Sequence, residues 1–193
     1  DDYKGLKMRM PGLGGRTIGK LGATAVLMGG PDILTSLASG AIDAAEWICP
    51  IADLGLGMHQ AAKFYYGPGW HEPSTLLDLS IDLKEWEGLD ADTQALMMEM
   101  AKAFNVDVFS RFQALNGPAL GKLLNEHGVQ LKTFPDELLI ALGNAAGEVM
   151  EERGSINSQT KAICNHLLSF RKNISLLYCV PKSGPCEFNV VGS

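Results

Sequence analysis

The sequence predicts an α/β fold with long C-terminal helices. Short β-type runs alternate with short helical ones up to about residue 82, and from Asp90 onward apolar residues recur at three- and four-residue spacing. Glycine and proline punctuate the early changes of element. On this reading 1–82 is a strand-and-helix portion, 83–177 a long-helix portion with one short strand, and 178–193 an irregular tail.

Residues 6–10 read as a strand, 14–22 as a helix and 24–28 as a second strand. Gly29, Gly30 and Pro31 then break the chain, with Pro31 well suited to open a helix that reaches Ala38 and closes at Gly40. The run 42–48 reads as a strand that Pro50 stops, with Asp43 and Glu46 set among apolar neighbours. A short helix carries Leu54, Met58 and Ala61, Phe64 to Tyr66 form an aromatic strand, and Leu76, Leu77, Leu79 and Ile81 suggest another. Asp90 is a suitable cap for the long helix bearing Leu96, Met97, Met100, Phe104, Val108 and Phe112, and Gly117 and Pro118 should kink or interrupt it. Residues 129–134 read as a strand. Pro135, Asp136 and Glu137 open a helix that breaks near Gly154 and Ser155, and a last helix covers roughly 158–177.

The chain has 193 residues, 46% hydrophobic and 20% charged, with a net charge of -6. That balance argues against nucleic acid as a partner, because neutralising phosphates needs a basic face and no Lys/Arg cluster is present. No apolar run approaches the roughly 20 residues that cross a bilayer. The start lies within a few residues of a strand, as expected of a chain cut from a larger protein. Cys49, Cys164, Cys179 and Cys186 form no CxxC pair; Cys179 and Cys186 flank a turn-like stretch that a disulfide could bridge. Met97, Met98 and Met100 read as core filling on a helix face. His59, His127 and His166 stand alone in sequence and read as surface or satisfied histidines.

Three clusters could carry chemistry. Arg9 ends a strand and runs into Pro11, Gly12, Leu13, Gly14 and Gly15, where holding a guanidinium is costly unless it meets an anion, ideally a carboxylate gripped by two parallel hydrogen bonds. A solvent-facing Arg, or one paired with a structural Asp, fits the spacing equally well. The glycines lack the GxGxxG spacing and the Lys-Ser/Thr of a phosphate loop. The stretches Asp43 to Pro50 and Trp70 to Pro73 each set a carboxylate, Glu46 and Glu72, beside a tryptophan at a strand end. Two carboxylates near an arginine read as a hard-cation site beside an anion clamp. A hydrolase or lyase using His71 or Glu72 as base, and a purely structural domain, are the other readings; no nucleophile elbow or metal-binding histidine pair favours an enzyme.

The runs LKMRMPGLGG (6–15), SGAIDAAEWICP (39–50) and YYGPGWHEP (65–73) resemble the DctP-like solute-binding subunits of tripartite ATP-independent periplasmic (TRAP) transporters, in the branch that binds 2-oxo acids or lactate with a metal ion. The resemblance extends to about residue 173. It implies periplasmic-binding-protein-like lobes with the N-terminal half missing, a receptor and not an enzyme, a periplasmic location, and membrane subunits of a transporter as partners. Arg9 matches the arginine that binds the substrate carboxylate. Glu46 and Trp47 match residues lying against substrate and cation, Glu46 through its carboxylate and Trp47 through its backbone carbonyl. Glu72 matches a further cation ligand, and the cation would be Na+ or Ca2+. Without an opposing lobe the site should stay wet and bind weakly. Unpaired sheet edges should invite a homodimer or aggregation.

Overall fold

The computed structural model describes residues 3–72 and 78–177. In chain order the elements are β1 (Lys7–Arg9), α1 (Gly12–Lys20), β2 (Thr24–Val26), α2 (Gly30–Ser39), β3 (Ala44–Ala45), α3 (Pro50–Gly55), a 3-10 turn (Met58–Gln60), β4 (Phe64–Gly67), α4 (Leu83–Glu87), α5 (Ala91–Asn125), β5 (Gln130–Thr133), α6 (Asp136–Gly154) and α7 (Ser158–Leu177). They fall into two compact units. One is drawn from Asp1–Gly29, Ser39–Glu46 and Thr133–Ser193, the other from Gly30–Ala38 and Trp47–Lys132.

The first unit is built on a three-stranded parallel sheet in the order β2-β1-β3, in which Arg9 pairs with Val26 on one side and Ala45 on the other. Helix α1 buries Gly14, Gly15, Thr17 and Ile18. Gly15 has a specific reason to be glycine, because a Cβ there would stand 2.5 Å from the main-chain oxygen of Met10. Only a bare Cα lets the helix lie this close to the end of β1. Across this unit α1 packs on α6, whose Leu142, Ala145 and Val149 are buried, and Lys20 reaches Glu148 and Glu152. Apolar burial at Met10, Ile18, Ile42, Leu142 and Val149 supplies the core.

In the second unit β4 pairs with β5, and α3 packs on α5. The main-chain N–H of Ile51 donates to Oδ1 of Asn116 at 3.2 Å, joining the start of α3 to α5. Ile33, Ala119, Leu123 and Val129 are its buried apolar side chains. Asp90 caps α5, accepting from the Thr93 N–H at 2.9 Å.

Several expectations need correction. Gly117 and Pro118 do not interrupt α5, which stays helical from Ala91 to Asn125. Proline removes one helical hydrogen bond, but Asn116 and the buried Ala119 and Leu123 flank it and anchor that stretch. Residues 78–81 form no strand; Leu79 is exposed and Asp82 instead caps α4, accepting from the N–H groups of Lys84 and Glu85. Leu76 and Leu77 lie outside the described residues, as do Pro73, the Cys179 and Cys186 pair and the tail. The run 42–48 contributes only the two-residue β3. Met97, Met98 and Met100 are not core: Met98 and Met100 are exposed and Met97 half-buried, because within this unit only the C-terminal part of α5 reaches the buried cluster. Among the described residues no helix is long and apolar enough to cross a membrane.

Candidate functional site

Arg9 is the last residue of the central strand, where a chain running β2-β1-β3 changes the side on which strands are added. Such switch points, beyond the carboxyl ends of parallel strands, are where α/β sheets leave a crevice for ligands. Arg9 is nevertheless 7% exposed, so its charge must be met inside the protein. Its Nη1 donates to the main-chain oxygen of Glu46 at 2.6 Å and to Glu46 Oε2 at 3.0 Å, and its Nε donates to the Met28 carbonyl at 3.3 Å. The Glu46 N–H donates in turn to the Arg9 carbonyl at 2.9 Å.

Two of the residues expected at a site, Arg9 and Glu46, are thus brought into direct contact within the first unit. Arg9 and Glu46 form an ion pair, with side-chain exposures of 8% and 17%. Asp43 instead accepts from the Lys7 N–H through Oδ2 at 2.9 Å, at the other end of the strand pair.

Trp47 and Glu72 belong to the second unit. The Trp47 indole packs on Gly30: a Cβ at position 30 would lie 2.8 Å from Cη2 and 2.9 Å from Cζ2. Glu72 is exposed, and beside it His71 is half-buried with its ring 4.9 Å from that of Trp70. Burial lowers the His71 pKa, and the Glu72 charge opposes that shift. Among the described residues no three His, Cys, Asp or Glu side chains gather to hold a metal. Glu46 in the first unit and Trp47 and Glu72 in the second carry carboxylate and carbonyl oxygens, the donor type that sodium and calcium take, in contrast to thiolate- or imidazole-seeking metals.

Reading the sequence missed a buried pair in the second unit. Tyr65 donates its hydroxyl proton to Oδ2 of Asp53, and the Ile48 N–H approaches Asp53 Oδ1 at 3.5 Å. Asp53 is 8% exposed, and burial raises its pKa while the Tyr65 hydroxyl and the Ile48 and Cys49 main chain pull it back. Burial and the Asp53 carboxylate raise the Tyr65 pKa. The pair ties the first turn of α3 to β4, just after Trp47. In sequence Asp53 looks like an ordinary acid in the first turn of a helix, and nothing in the spacing links it to Tyr65. His59 and His127, alone in sequence, stack with ring centroids 3.9 Å apart.

Among known proteins, the model of the bacterial extracellular solute-binding protein family 7 (DctP) matches residues 1–155. The chain belongs to this family. It is 38% identical over 173 residues to a monocarboxylate 2-oxoacid-binding periplasmic protein of Nostoc sp., covering 90% of this chain and 47% of that protein. It also superposes on the crystal structure of a TRAP periplasmic solute-binding protein from Colwellia psychrerythraea with bound calcium and pyruvate, at a TM-score of 0.84 and 34% identity, over 91% of this chain and 54% of that one. A TRAP periplasmic solute-binding protein from Pseudoalteromonas atlantica, with bound sodium and pyruvate, matches at a TM-score of 0.85 and 32% identity over the same shares. The chain spans about half the length of these relatives.

Proposed function

We propose that this chain is part of the periplasmic receptor of a TRAP transporter, capturing a small monocarboxylate such as pyruvate, another 2-oxo acid or lactate together with Na+ or Ca2+, and passing it to the transporter's membrane subunits. The observation that carries the reading is the buried guanidinium of Arg9 at the sheet's switch point. A planar carboxylate is the ligand such a group grips best. Arg9 is the substrate anchor, Glu46 and Trp47 serve substrate and cation, and Glu72 adds a cation ligand. The relatives that bind pyruvate with calcium or sodium support this assignment, as does the oxygen chemistry of the donors. The protein acts as a receptor and does not turn its ligand over.

Calorimetry on the protein that carries this chain, with pyruvate and lactate in the presence of calcium or sodium, tests the reading. Binding should be carboxylate-dependent and should fall at least tenfold in Arg9→Lys, whose ammonium cannot make the planar two-bond grip. Undiminished binding in Arg9→Lys, or no binding of any monocarboxylate, would overturn it.

A further inference from the structure

We infer that Asp53, braced by Tyr65, is a positioning residue for the cation ligands: it holds the N–H of the Trp47–Ile48 peptide and so fixes the direction of the Trp47 carbonyl oxygen. The inference rests on the reading of that carbonyl as a cation ligand and names the group that aims it. The Trp47 carbonyl and the Ile48 N–H belong to one trans peptide group, so they lie in a plane and point in opposite directions. The Ile48 N–H is directed at Oδ1 of Asp53 at 3.5 Å, and the main-chain N–H of Cys49 bonds the same carboxylate. The Trp47 oxygen is therefore turned away from the Asp53 side chain.

Asp53 can hold the peptide because it is itself held. It is 8% exposed, so its carboxylate needs donors around it, and its second oxygen, Oδ2, accepts from the Tyr65 hydroxyl. Tyr65 lies in β4, which pairs with β5, and the Asp53 N–H donates to the Cys49 carbonyl at 2.9 Å at the start of α3. The Trp47 ring is fixed separately by its packing on Gly30. Residue 47 is thus gripped at its ring by α2 and at its following peptide by Asp53, all within the second unit. A main-chain oxygen has no rotamer of its own, so the orientation of its peptide is the freedom a neighbour can remove. Groups that orient the ligands of a metal typically set about tenfold or more of its affinity.

The test uses the protein that carries this chain, at neutral pH. Asp53→Ala should weaken calcium binding, measured by calorimetry with pyruvate saturating, by about tenfold or more, while pyruvate affinity at saturating calcium stays close to that of wild type. Asp53→Asn should restore most of the calcium affinity, because its carboxamide oxygen can accept from the Ile48 N–H while its amide group donates to the Tyr65 hydroxyl. Val129→Ala, which loosens the core of the same unit, should leave calcium affinity unchanged. Wild-type calcium affinity in Asp53→Ala, a loss in Asp53→Asn as deep as in Asp53→Ala, or an equal loss in Val129→Ala would overturn the inference while leaving the receptor reading intact. A wild type that binds no monocarboxylate with calcium would instead remove the receptor reading, and this inference with it. A second measurement needs no variant. Isotope labelling of Trp carbonyls and Ile amides selects the Trp47–Ile48 peptide, the one Trp-Ile pair in these 193 residues. In the ligand-free protein the Ile48 N–H should exchange with solvent far more slowly than a free amide although the residue is 60% exposed, and the Trp47 carbonyl resonance should shift on adding calcium and pyruvate. Exchange at the rate of a free amide, or an unmoved carbonyl, also overturns the inference.

Discussion

Trp47 rests on Gly30: three atoms of the indole ring, Cη2, Cζ2 and Cζ3, lie 2.8, 2.9 and 3.4 Å from the place a Cβ at position 30 would occupy. The first residue of α2 is therefore shaped by a side chain far along the chain from it. Gly30→Ala should lift the indole or push α2 away, costing about 1–3 kcal/mol of stability and shifting the tryptophan emission. Gly19→Ala, in α1 with open space around its Cα, is the control and should be neutral or stabilising by about 0.4–1 kcal/mol. Urea unfolding followed by fluorescence measures both.

Removing the Tyr65 hydroxyl should leave the buried Asp53 carboxylate short of a donor. Tyr65→Phe is expected to destabilise by about 1–3 kcal/mol, and a cycle with Asp53→Asn should show non-additivity, since the two side chains are in direct contact. Additive losses in chemical denaturation would mean the contact contributes nothing of its own.

The same aspartate makes stability depend on pH. Because burial raises its pKa in the folded protein, Asp53 holds its proton more tightly there than in the unfolded chain. Its contribution is thus fully present below the ordinary value of about 4 and is lost as pH rises through the raised folded value. The carboxamide introduced by Asp53→Asn does not titrate, so that variant lacks this dependence. The stability of wild type relative to Asp53→Asn should therefore be highest near pH 4 and decline toward neutrality, a difference read from paired urea curves; a pH-independent gap would contradict it.

His59 should act in the opposite sense. Burial chiefly, then the neighbouring His127 and Lys63, lowers its pKa in the folded state. Its contribution is present above the ordinary value of about 6.5 and is lost as pH falls from there through the lowered folded value, because the unfolded chain takes up the proton first. His59→Phe keeps a ring to stack on His127 and should flatten the loss of stability between about pH 7 and 5. Thermal unfolding across that range is the measurement, and a slope equal to that of wild type would count against the assignment.

Element type was legible wherever local chemistry alone decides it. The Asp90 cap, the Pro135 entry to α6, the break at Gly154 and Ser155 and the span of α7 all follow from capping, helix-breaking and periodicity, which act within a few residues. The failures have longer range. Residues 78–81 carry strand-like apolar residues without strand partners among the described residues, and Leu96, Met100 and Phe104 have helical periodicity without burial. Periodicity says which face is apolar, and only packing says whether anything covers it.

Residue order alone was enough to specify an α/β chain with long helices, an arginine ending a strand beside a glycine turn, and ordered motifs of the solute-binding kind. Folding supplied the partnerships: Arg9 with Glu46, Asp53 with Tyr65, Trp47 on Gly30 and His59 on His127. These pairs join residues well separated along the chain, and a charge or a ring shows no preference in sequence for a distant mate. Desolvation selects the partner, because a buried guanidinium or carboxylate is tolerable only where the folded backbone delivers its complement within hydrogen-bond reach.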